Sequence, residues 1–154
     1  MLYLILKWIH IISATIIFGT GIGSAYYMFA ANRRKILSEM RFAVKFVVLA
    51  DWAFTLPAVI IQFITGLLMA KIANISLTDF WIKWGIVLYF FAGACWLPVV
   101  WLQIKMEKLI EEAIKENKQL DAKYWKMDFW WILLGSLAFP AVVMIFWLMV
   151  DKPV

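Results

Sequence analysis

A handful of side chains could do chemistry within otherwise apolar stretches of this sequence: His10, Asp51, Gln62 and Tyr89, with Met69 and Trp96 beside them in pattern. His10 is the only histidine, and it stands in the apolar run "KWIHIISATIIFGTGIGSAYYMFAAN". Imidazole is a common axial ligand of haem iron. One reading of His10 is therefore a haem b ligand, with the ring nitrogen on the metal. The other is an interfacial histidine bonded to a backbone carbonyl. A single histidine supplies one axial bond, so a second ligand is expected from Met69, with Lys71 and Lys83 as alternatives. Trp96 and Tyr89 would pack on the macrocycle or a substrate.

Helical spacing groups the polar residues into stripes. His10, Ser13, Thr20, Gly21 and Ser24 fall on one face. Asp51, Thr55, Ala58, Gln62, Thr65 and Met69 fall on a second, and Tyr89, Gly93, Trp96 and Gln103 on a third. Ser, Thr and Gly at such positions are also what helix packing in lipid uses, and Gly19 and Gly23 make a G-x-x-x-G pair. Asp51 differs, because an acid at membrane depth is costly and marks proton paths or substrate sites. It reads either as a proton acceptor, with Gln62 and Tyr89 completing a catalytic set, or as a boundary carboxylate paired with a nearby Lys or Arg.

These stripes need helices to carry them. The chain has 154 residues, 66% of them hydrophobic, far above a soluble domain. Its mean hydropathy is +0.86. Spanning the hydrocarbon takes about 20 apolar residues in a helix. Four runs suffice, at about 2–31, 46–70, 84–104 and 129–150. The third keeps its apolar period through "KMEKLIEEAIKEN", so it is expected to project to about residue 116, with Asn117 as the stop. The first run is too long for a cleaved signal peptide and lacks a small-residue cleavage site. The expected fold is all-α: a single-domain integral membrane four-helix bundle.

Eleven of the fifteen basic residues lie in the first and third connections. The positive-inside rule then puts those connections in the cytoplasm and both termini outside, in a bacterial inner membrane. The net charge of +5 follows this topology. It carries no nucleic-acid motif. Cys95 is alone in an apolar run, so neither a disulfide within the chain nor a thiolate cluster can form.

The runs "LKWIHIISATIIFGTGIGSA", "VVLADWAFTLPAVIIQFITGLLMA", "GACWLPVVWLQIKM" and "YWKMDFWW" resemble a bacterial family of predicted four-helix integral membrane proteins. That resemblance implies the architecture and supplies no activity. "KWIH", "LPAVIIQFITGL" and the closing "DKP" more distantly resemble HemJ-type protoporphyrinogen oxidases and CopD-like membrane domains. The HemJ likeness implies haem b at His10 and reaches Pro57 to Gly66. It breaks in the third helix, where Lys83 stands two residues early and a further histidine is missing. Porphyrinogen oxidation is not carried across.

Three function classes follow: a haem-b redox protein, a small transport or metal-handling protein, and a non-enzymatic interaction subunit. Copper handling needs several soft ligands on one stripe, and the eight methionines are scattered. The expected partners are membrane lipid, a redox or quinone partner, and a second copy of the chain in a homo-oligomer.

Overall fold

The computed structural model describes residues 1–153. Helix α1 (Leu2–Arg34) is followed by α2 (Leu37–Ala50), a π-helical turn at Asp51–Thr55, α3 (Leu56–Ile72), α4 (Phe80–Lys115) and α5 (Ala122–Asp151). The segments α2, π-turn and α3 form one continuous span, so four helices are long and apolar enough to cross a membrane. Among the described residues there is no strand.

Three spans begin earlier than their apolar runs. The second starts at Leu37, not near Phe46, the third at Phe80, one turn before Trp84, and the fourth at Ala122, not near Phe129. In the second and fourth the added turns are amphipathic. Met40, Val44 and Val47 are buried while Arg41 and Lys45 are exposed. Asp121 caps α5, its side chain accepting from the backbone N–H of Lys123 (3.1 Å) and Tyr124 (3.3 Å). Helix α4 ends at Lys115, and Asn117 takes the left-handed conformation (φ 50°) that closes it.

The π-turn has a local cause. Pro57 has no N–H to give its preceding turn, and its ring crowds the carbonyl four residues back. The helix relieves this upstream by widening: the Leu56 N–H bonds the Asp51 carbonyl five residues back. Wide turns of this kind recur at functional sites.

The buried cluster lies toward the end of the bundle that carries the basic connections. Met28, Met40, Val44, Val47, Val99, Leu102, Met106, Ile110, Tyr124 and Trp131 form it. Part of it sits on the turns of α4 that project beyond the apolar run. Burial from water contributes there, on the order of 1.5–3 kcal/mol for each side chain such as Ile110. Within lipid that drive is absent, and packing and hydrogen bonds must hold the helices. The other half of the bundle is looser. Gly19, Gly21, Gly23 and Gly93 each face open space, and α1 meets α5 there through Phe18 on Phe139 and Phe146, with centroids 5.4 and 5.7 Å apart.

Candidate functional site

The polar residues gather in separate clusters. The first joins α1 to α3. His10 Nδ1 lies 2.9 Å from Thr65 Oγ1, and His10 Nε2 lies 2.9 Å from Gln62 Nε2. Thr65 already gives its hydroxyl proton to the Ile61 carbonyl at 2.6 Å. Its oxygen therefore accepts from His10 Nδ1–H, which leaves Nε2 to accept from the Gln62 amide. Ser13 closes the ring, its hydroxyl directed at Gln62 Oε1 (2.5 Å) and at the His10 carbonyl (3.0 Å). The imidazole also comes close against α3 where Gly66 has no side chain: a Cβ there would lie 3.2 Å from His10 Cε1.

The second cluster surrounds Asp51, which is only 5% exposed. Trp96 Nε1 donates to Asp51 Oδ1 at 3.3 Å. Gln103, with its amide turned as its neighbours' polarity requires, donates to Asp51 Oδ2 at 2.9 Å and accepts from Trp131 Nε1 at 3.1 Å. Thr55 lies beside the carboxyl. It is equally buried, and its hydroxyl has no hydrogen-bond partner among the described residues. No Lys or Arg pairs with Asp51 among the described residues. The carboxyl belongs to the bundle interior, where α4 supplies its neutral donors and α5 orients one of them through Trp131, and not to the basic first connection.

A third cluster was not anticipated from the sequence. Tyr124 donates to Asn32 Oδ1 at 2.8 Å, and Asn32 Nδ2 donates to Asp128 Oδ1 at 2.7 Å. All three side chains are buried, and they tie α1 to α5. Its signal was available: Tyr124 and Asp128 are four apart, one helical face, with Trp131 three further on.

The expected site residues therefore divide. His10 and Gln62 come together, and so do Asp51 and Trp96. Tyr89 joins neither pair: its hydroxyl bonds the Val59 carbonyl at 2.8 Å, and its ring stacks on Phe63 at 5.6 Å. Met69 is on α3, one turn beyond Thr65, and Lys71 closes that helix while Lys83 opens α4. Neither histidine nitrogen is directed at any of them, since Thr65 and Gln62 occupy both. Among the described residues no three His, Cys, Asp or Glu side chains converge as a metal site. Asp51 and Gln62 share one rod and lie roughly 16 Å apart along it, at 1.5 Å per residue.

The sequence profile of a family described as "Predicted integral membrane protein (DUF2269)" matches residues 4–153. No curated protein and no solved structure matches the chain.

Proposed function

The chain belongs to the DUF2269 family of predicted integral membrane proteins, and from that premise we propose that it is a proton-binding membrane subunit whose acceptor is Asp51. The observation that carries this reading is a carboxyl buried within a span, held by the neutral donors Trp96 and Gln103 with Thr55 beside it and no cation paired with it. Intramembrane acids are expensive and usually line ion or proton paths. Two further features support it. Asp51 opens a π-turn, and Thr55 keeps an unused hydroxyl next to it. Trp96 and Gln103 can only donate to the carboxyl, so they suit its ionised form. A protonated Asp51 needs an acceptor, and the Thr55 oxygen is the one at hand.

Haem b at His10 does not fit this donor set. The nitrogen that would bind iron, Nε2, accepts from Gln62, and α3 lies against the ring at Gly66. The His10 cluster is better suited to locking α1 on α3. The bacterial inner membrane and outward termini belong to this proposal, on the strength of the basic connections.

The test is infrared spectroscopy across a pH titration of reconstituted protein. Wild type is expected to gain a carboxylic C=O band distinct from those of solvated acids, and Asp51→Asn to lack it. The same band in Asp51→Asn would assign the proton elsewhere and overturn the proposal.

A further inference from the structure

Outside the bundle interior, the first half of α2 presents an exposed face made of Ser38, Arg41, Phe42, Lys45 and Phe46. We infer that this face is a binding site for an anionic phospholipid, in the leaflet that the α1–α2 turn meets. The inference is independent of the proton site.

The chemistry is complementary in two layers. Arg41 and Lys45 are four apart and exposed on the same face as Ser38. At 1.5 Å per residue they stand about 6 and about 12 Å from the start of α2. The headgroup layer is on the order of 5–8 Å deep on each side of the hydrocarbon. Arg41 is therefore level with lipid phosphates, and Lys45 reaches back to them along its own apolar stem. Interleaved with the charges along α2, Phe42 and Phe46 pack with centroids 4.6 Å apart and ring planes tilted by 43°, and they stay 66% and 49% exposed. They form a wall for acyl chains.

The acids near this face compensate its charge only in part. Arg41 Nη2 stands 3.6 Å from Glu111 Oε1 on α4, a long and half-exposed pairing. Glu39 is turned to Arg34 at 2.8 Å. Lys45 has no acidic partner among the described residues. The exposed phenyl wall selects a lipid over a free phosphate, because a small anion leaves both rings uncovered.

Binding of phosphatidylglycerol and phosphatidylcholine to the protein in uncharged detergent, followed by native mass spectrometry, tests the site. Wild type is expected to prefer phosphatidylglycerol. Lys45→Gln should weaken that lipid about five-fold, the worth of one basic residue at a charged surface, and leave phosphatidylcholine unchanged. Arg41→Gln with Lys45→Gln should remove the preference, and Lys45→Arg should keep it. Thermal unfolding of each variant in the same detergent checks that the bundle survives. Equal affinity for the two lipids in wild type, or an undiminished preference in the double variant, would overturn the inference and leave this face to a protein partner. Full competition by inorganic phosphate would overturn it too, in favour of a soluble anion.

Discussion

His10 and Gln62 meet nitrogen to nitrogen, Nε2 to Nε2, at 2.9 Å. Only one of the two can be the donor, and Thr65 decides which. Its hydroxyl proton is spent on Ile61, so it takes the proton of His10 Nδ1. Nitrogen-15 NMR of histidine-labelled protein should accordingly show the Nδ1–H tautomer. An Nε2–H signal would mean that the Gln62 amide points the other way.

The same geometry bears on haem. Protein expressed with ample haem should purify without a Soret band, and Met69→Leu, Lys71→Gln and Lys83→Gln should leave the spectrum as it is. A Soret band that disappears in His10→Ala would restore the ligand reading of His10. Without haem, His10→Ala should still lower stability, by about 1–3 kcal/mol, because Gln62 and Thr65 lose their partner. Unfolding in mixed detergent measures it.

Gly66→Ala should be costly where Gly93→Ala is not. The new Cβ at Gly66 meets His10 Cε1 at 3.2 Å, and the ring cannot yield without giving up a hydrogen bond on one side or the other. A loss of about 1–3 kcal/mol is expected, as for other overpacked sites. Gly93 faces open space. Equal stability of the two variants would mean that His10 is not held as described.

At the other end of the bundle, Tyr124→Phe removes one hydroxyl bond to Asn32 and should cost about 1 kcal/mol. Asp128→Ala removes a charged acceptor and leaves the Asn32 amide buried without a partner. It should cost more, about 1.5–3 kcal/mol. The reverse order would mean that Asn32 finds another acceptor when Asp128 is gone.

Orientation can be read with a reporter active only in the periplasm. Fused to the C-terminus, it should be active, and fused within residues 116–121 it should be silent, since the first and third connections hold the basic excess. Activity in the second fusion alone would invert the topology.

The four spans were legible because their apolar runs exceed what a soluble core absorbs. Their ends were less so. Leu37 to Lys45 and Ala122 to Asp128 mix charge with apolar residues, which reads as connection until the facing helix shows what each apolar residue touches. Asp51 and His10 were legible as out of place, and the partnership of His10 with Gln62 and Thr65 follows from stripes on facing helices. The partner of Nε2 was not legible, because it depends on which residue of α3 reaches that nitrogen. Asn32, Tyr124 and Asp128 were hidden by their basic neighbours: next to Arg33 and Lys126, polar residues look solvated.

The widened turn at Asp51–Thr55 also keeps a phase. An α-helix advances about 100° per residue, but a turn closed by an i→i+5 bond takes one residue more to make the same rotation, so the extra residue is absorbed within the turn and α3 leaves it nearly in register with α2. Asp51, at its start, is keyed to α4, while Gln62 and Thr65, behind it, are keyed to α1. Deleting one of residues 52–54 would let the backbone tighten into a regular helix and leave both sets of contacts facing their partners, whereas deleting one of residues 58–61 would swing Gln62 and Thr65 by about 100° relative to Asp51. In this span the length of the chain between two contacts is as specific as the residues that make them, and the wide turn is the one place between Asp51 and Gln62 where a single deletion should be tolerated.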